Sequence, residues 1–155
     1  MTPTDLHALP AVELNRAYAA GTLSPLEVAR AVVAQVERWE PHLHASWDFD
    51  AAEALAMARA SEARWHAGSA LGPLDGVPVT LKENIATRGR AMPLGTAASL
   101  HVPAAADAPP AARLREAGAV FVARTTMPDY GMLSSGLSSF HTLTRNPWDL
   151  SKNPG

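Results

Sequence analysis

An α/β fold is predicted for this chain by three features. Two helical runs with clear start signals occupy the stretch before residue 70, a strand-like run from Val77 to Asn84 follows glycine and proline punctuation, and a helix near 110–117 feeds the short apolar run Val120–Ala123. The length, 155 residues, and the composition, 47% hydrophobic and 18% charged, fit a globular chain that buries a core and exclude wholesale disorder. The 13 basic and 15 acidic residues are interspersed and sum to −2, so no basic stripe calls for nucleic acid or an anionic membrane. With no cysteine, there is no disulfide framework, no thiolate metal site and no cysteine nucleophile.

The elements can be justified in order. Met1 to Pro10 lack the charged-then-apolar order of a signal peptide, and apolar stretches such as Ala29–Val36 are broken by Arg30 and Gln35, far short of the ~20 residues a membrane helix needs. A cytoplasmic protein with no membrane partner is expected. Ser24-Pro25-Leu26-Glu27 is a capping box with proline at the first helical position, and Leu26, Ala29, Val33 and Val36 continue it as an amphipathic helix to about Trp39, where Pro41 is expected to stop it. Asp50 with Glu53 repeats the start signal for an alanine-rich helix that ends at Gly68. Val77, Val79 and Leu81 share one face of the strand that follows; Thr80 and Lys82 share the other. Residues 89–110 lack periodicity and read as a long loop, with a short helix expected at Thr96–Leu100. Pro110–Ala117, closed by Gly118, makes the last helix before Val120–Ala123.

Three places carry candidate chemistry. Lys82 stands at the C-terminal end of a strand expected to be central, where open α/β sheets place their sites, and burial there would make a lysine a usable base. The plainer reading is a solvated lysine paired with Glu83. Gly131 to Ser139 is rich in serine and glycine, as in pockets where backbone approaches a substrate, and equally as in a plain loop. The third, Thr144 to Gly155, is turn-rich, and Trp148 is expected to anchor it to the core. The six histidines are scattered without metal-ligand spacing, so no metal and no histidine chemistry are assigned.

Gly72-Pro73-Leu74-Asp75-Gly76-Val77-Pro78-Val79-Thr80-Leu81-Lys82 resembles the segment that leads to the catalytic lysine of amidase signature enzymes. Ala112–Val120, Thr125-Thr126-Met127-Pro128-Asp129-Tyr130-Gly131 and Arg145-Asn146-Pro147-Trp148-Asp149 resemble later motifs of the same family, in the same order. Thr126 stands where asparagine is frequent and Arg124 where lysine is frequent. The resemblance implies the amino-terminal part of an α/β/α sandwich with a large mixed central sheet, residues 1–70 being a helical preface and 71–155 the opening of the catalytic core.

The activity implied is hydrolysis of a carboxamide C–N bond by a serine, cis-serine and lysine relay, without cofactor or metal. Lys82 would be its base, buried and neutral in the complete enzyme, with Met132, Ser134 and Ser135 lining the acyl pocket. In the family pattern both serines follow Pro154-Gly155, so this chain is expected to be inactive and to fold poorly by itself. The partner expected is a small-molecule amide, with no direct nucleic-acid contact; a homodimer is compatible. The wording of Met132–His141 favours a stand-alone bacterial amidase. The alternatives are the glutaminase component of a tRNA-dependent amidotransferase and a noncatalytic structural or binding fragment.

Overall fold

The computed structural model describes residues 3–155, with side chains from Leu6 onward. Its elements are α1 (Ala11–Ala19), α2 (Pro25–Leu43), β1 (Ser46–Phe49), α3 (Ala51–His66), β2 (Pro78–Lys82), α4 (Pro109–Glu116) and β3 (Val120–Thr125). The α/β class expected from the sequence is the one found.

The start signals act as read. Glu27 N–H donates to Ser24 Oγ at 3.1 Å while Ser24 N–H donates to Glu27 Oε2 at 2.8 Å, so each half of the capping box satisfies an amide that the first helical turn leaves open. Asp50 accepts from Glu53 N–H at 2.9 Å at the head of α3. That helix closes with Gly68 at positive φ, Gly68 N–H on Trp65 O and Ser69 N–H on Arg64 O, the paired bonds of a left-handed glycine cap.

Pro41 does not stop α2, which runs on to Leu43 with the proline inside its last turn. A proline there forfeits only the amide bond to Glu37 O in a ladder about to end, and the last carbonyls are met from afar: Arg145 N–H donates to Leu43 O at 2.8 Å and Thr144 Oγ1 to His44 O at 2.9 Å. The short helix expected at Thr96–Leu100 is instead a pair of turns, because Ser99 Oγ donates to Met92 O and Thr96 Oγ1 accepts from Ala98 N–H, and such side-chain bonds compete with helix.

The strands form one mixed sheet in the order β1-β3-β2. β1 runs antiparallel to β3, pairing Phe49 with Ala123 and Asp48 with Arg124, with an irregularity before Ser46 meets Thr125. Bonds from Val120 N–H to Val77 O and from Glu83 N–H to Thr125 O make β2 parallel to β3. The strand carrying Lys82 is therefore an edge of this sheet, not its centre. The residues explain why: β3 is a continuous buried run from Val120 to Arg124, whereas β2 begins with a proline that cannot donate and leaves Thr80 and Lys82 exposed.

The chain forms two compact units, each discontinuous in sequence. The first comprises Met1–Glu37, Asp50–Val79 and Arg113–Val122. Its core packs Leu14, Tyr18 and Val28 with Leu9, Leu23, Val32 and Trp65. Asp75 is fully buried there; it takes Arg64 Nε and Nη2 at 2.9 and 2.5 Å and Leu71 N–H at 2.9 Å, while Trp65 Nε1–H donates to its carbonyl. Burial pushes the Asp75 carboxyl up, but those donors outweigh it and hold the group below the ordinary carboxylate range. The second unit comprises Arg38–Phe49, Thr80–Ala112 and Ala123–Gly155. Among the described residues no helix is long and apolar enough to cross a membrane.

Candidate functional site

The second unit holds the residues singled out by the sequence. Lys82 ends β2, and the chain turns at once through a bond from Ile85 N–H to Lys82 O. Its side chain is exposed and lines a recess of about 170 Å³ together with Thr126, Ser135, Gly136, Thr144 and Pro154-Gly155. Lys82 and Ser135 are thus brought together, whereas Met132, 80% exposed, and Ser134 lie out on the loop and are not among the lining residues.

The loop that presents Ser135 is built by short polar side chains. Asp129 accepts from Ser139 N–H at 2.7 Å and from Ser139 Oγ at 2.5 Å, which closes the base of the loop and holds the Asp129 carboxyl below its usual range. Ser138 Oγ donates to Gly95 O and accepts from the amides of Phe140 and His141 at 3.0 and 2.9 Å. Gly95 sits at positive φ, and a Cβ there would stand 2.3 Å from Met127 O, so only glycine admits this approach. Beside Gly136 the lining continues as a hydroxyl pair: Thr126 Oγ1 and Thr144 Oγ1 are 2.9 Å apart, tied to the carbonyls of Ala45 and His44.

The lysine is not paired with its neighbour. Glu83 is 1% exposed, and both its oxygens meet His141 Nε2, at 3.0 and 2.8 Å. The His141 ring packs edge-on against Phe140 and at a tilt against Trp47, with centroids 4.8 and 5.7 Å away. Sequence reasoning passed over His141, Thr126 and Thr144 as functional residues. A signal for the first existed: alternation sends Glu83 to the face opposite Lys82, and a carboxylate sent inward requires a donor from elsewhere.

Arg124, buried on β3, reaches its cross-strand partner Asp48 at 3.6 Å, and Arg90 reaches the same carboxylate at 3.2 Å. Trp148 anchors nothing. It is 94% exposed, and the turn is fastened by backbone and an asparagine: Trp148 N–H donates to Asn146 Oδ1, and Asn146 N–H to Lys152 O. Among the described residues no three of His, Asp or Glu are grouped so as to hold a metal ion.

Comparison with known proteins places this geometry. The amidase family model matches residues 27–155. The A-type component of the glutamyl-tRNA(Gln) amidotransferase of Acidothermus cellulolyticus is 41% identical over 152 residues, covering 98% of this chain and 30% of that protein. The protein of the same name from Symbiobacterium thermophilum is 38% identical over 148 residues, covering 95% and 30%. Among solved structures, fatty acid amide hydrolase superposes with a TM-score of 0.88 at 27% identity over 96% of this chain and 26% of that one. The native peptide amidase of Stenotrophomonas maltophilia does so with a TM-score of 0.82 at 29% identity over 91% and 30%. The chain therefore spans about a third or less of the length of these relatives. The names of the first two include a tRNA, which conflicts with the expectation of no direct nucleic-acid contact.

Proposed function

This chain belongs to the amidase family, and on that premise we propose that it is the lysine-bearing, amino-terminal part of an enzyme that breaks a carboxamide C–N bond. Residues 1–70 serve as helical preface and 71–155 open the catalytic core. The observation that carries the reading is the recess shared by Lys82, Ser135 and the Pro154-Gly155 end. Lys82 accepts a proton through a bridging serine, a second serine attacks the amide carbonyl, and the C–N bond breaks as ammonia or an amine leaves with that proton. Water then cleaves the acyl ester to the carboxylate. Both serines belong to sequence that would follow Gly155. Ser135 lines the acyl side, and Met132 and Ser134 are carried on the same loop.

Within the family the glutaminase component of an amidotransferase is the preferred reading, reversing the order suggested by the wording of Met132–His141. That wording is a short, partly exposed loop, the kind of segment that varies most among homologues in general, whereas the two amidotransferase components are 41% and 38% identical along nearly the whole chain. The substrate amide is then that of glutamine, the ammonia passes to a partner protein, and tRNA is met in that complex; a net charge of −2 fits a component that does not itself grip the tRNA backbone. The site of action is the cytoplasm.

The test uses the longest chain the gene encodes. Glutamine hydrolysis, copurification of a partner protein, and loss of activity in a folded Lys82→Ala variant are the expected results. A folded Lys82→Ala enzyme that keeps most of its amidase activity removes the lysine from the mechanism. Hydrolysis of simple amides without any partner returns the assignment to a stand-alone amidase.

A further inference from the structure

Glu83 and His141 are joined inside the second unit, yet neither lines the recess that holds Lys82. A carboxylate this deep is costly unless a donor meets it, so both partners must be in place before either can be buried comfortably. The positions of the two residues give the pair its meaning. Glu83 directly follows Lys82, and its amide still bonds β3 through Thr125 O at 3.0 Å, so the Glu83 side chain and the strand ladder together fix the backbone from which Lys82 projects. His141 closes the loop that carries Ser135 and Gly136, which line the recess together with Lys82. Its amide is held by Ser138 Oγ, and its ring is held by Phe140 and Trp47. One hydrogen-bonded contact thus ties the strand end bearing the lysine to the loop bearing Ser135 and Gly136.

We propose that His141 and Glu83 are a positioning pair that sets Lys82 against the Ser135 wall, acting through the strand end and the loop without touching substrate. The proposal rests on the reading of Lys82 as the base. The pair makes no demand on which amide is hydrolysed. A displacement of the lysine by a fraction of a side-chain length is what its loss would produce, and displacements of that size cost rate more than binding.

The longest chain the gene encodes is assayed for amide hydrolysis, and Lys82 reactivity is read separately by competitive acetylation and peptide mass spectrometry. His141→Phe keeps the aromatic packing but offers no donor; His141→Gln keeps a donor for Glu83. In His141→Phe, kcat is expected to fall on the order of 10–100-fold with KM within about threefold, and the acetylation rate of Lys82 to change; His141→Gln should recover most of both. Glu83→Gln, which leaves the shape and one acceptor, should fall between them and serves if His141→Phe does not fold. A folded His141→Phe or Glu83→Gln enzyme with the kcat and Lys82 labelling of the parent overturns the proposal. An active Lys82→Ala enzyme overturns the base reading instead, and the labelling arm then still decides whether the pair positions the lysine.

Discussion

Asp75 and Glu83 flank the same short strand, both are buried carboxylates, and they belong to different kinds of structure. Asp75 is met by Arg64, 11 residues earlier, through two guanidinium bonds, with Leu71 N–H from the same loop. Glu83 is met by one nitrogen of His141, 58 residues later. The first pair closes a local excursion between α3 and β2, and every partner it needs is already near it in the chain. The second waits for a distant loop to return. A carboxylate satisfied by local donors secures architecture; one satisfied from afar brings two segments together, and the segments joined here are those that line the Lys82 recess.

That contrast can be broken by substitution. The largest expected effect is on rate: Lys82→Ala in the longest encoded chain should cost amide hydrolysis roughly three orders of magnitude or more while leaving the unfolding midpoint in place. Asp75→Ala should do the reverse. Removing the buried partner of this pair deletes two charge-assisted bonds but leaves Arg64 part-exposed, so a cost of about 2–3 kcal/mol is expected, and kcat per folded molecule should hold. Denaturant unfolding beside a hydrolysis assay separates the two. Loss of stability at Lys82 together with loss of rate at Asp75 would erase the distinction.

A subtler break comes from Gly118. It sits at positive φ, and a Cβ there would lie 2.5 Å from Asp75 Oδ1, so Gly118→Ala should destabilise by about 2–3 kcal/mol through both strain and displacement of the carboxylate. Acid sharpens the same point. Because the folded-state Asp75 carboxyl is held below its unfolded value, its contribution is complete above the ordinary carboxylate pKa and is lost as pH falls through the lowered value. Stability measured between pH 6 and about pH 2 should therefore decline in the parent and decline less in Asp75→Asn. The smallest effect is expected at the capping box, where Ser24→Ala removes one acceptor for about 1 kcal/mol, measurable in the unfolding midpoint and invisible in rate.

Much of the fold was legible because its determinants are neighbours. Ser24 with Glu27, Asp50 with Glu53, and the glycines at 68 and 118 act across three to five residues, so their chemistry can be read directly from the order of side chains. The alternation that exposes Lys82 and buries Leu81 is equally local. At Pro41, where such a rule failed, distant partners are present: the proline is carried inside α2, and Thr144 and Arg145 satisfy the carbonyls at the helix end.

The candidate site divides along the same line. Sequence by itself determined the family, the lysine and the serine-rich loop, since each is a matter of which residues occur and in what order. Only the tertiary structure decided that β3 and not β2 is central, that Ser135 and not Met132 or Ser134 shares the recess with Lys82, and that His141 answers Glu83. These depend on which segments return to which strand end. A buried carboxylate declares that it needs a donor, but among six histidines and many amides the choice is made by the path of the backbone, which no short stretch of sequence contains.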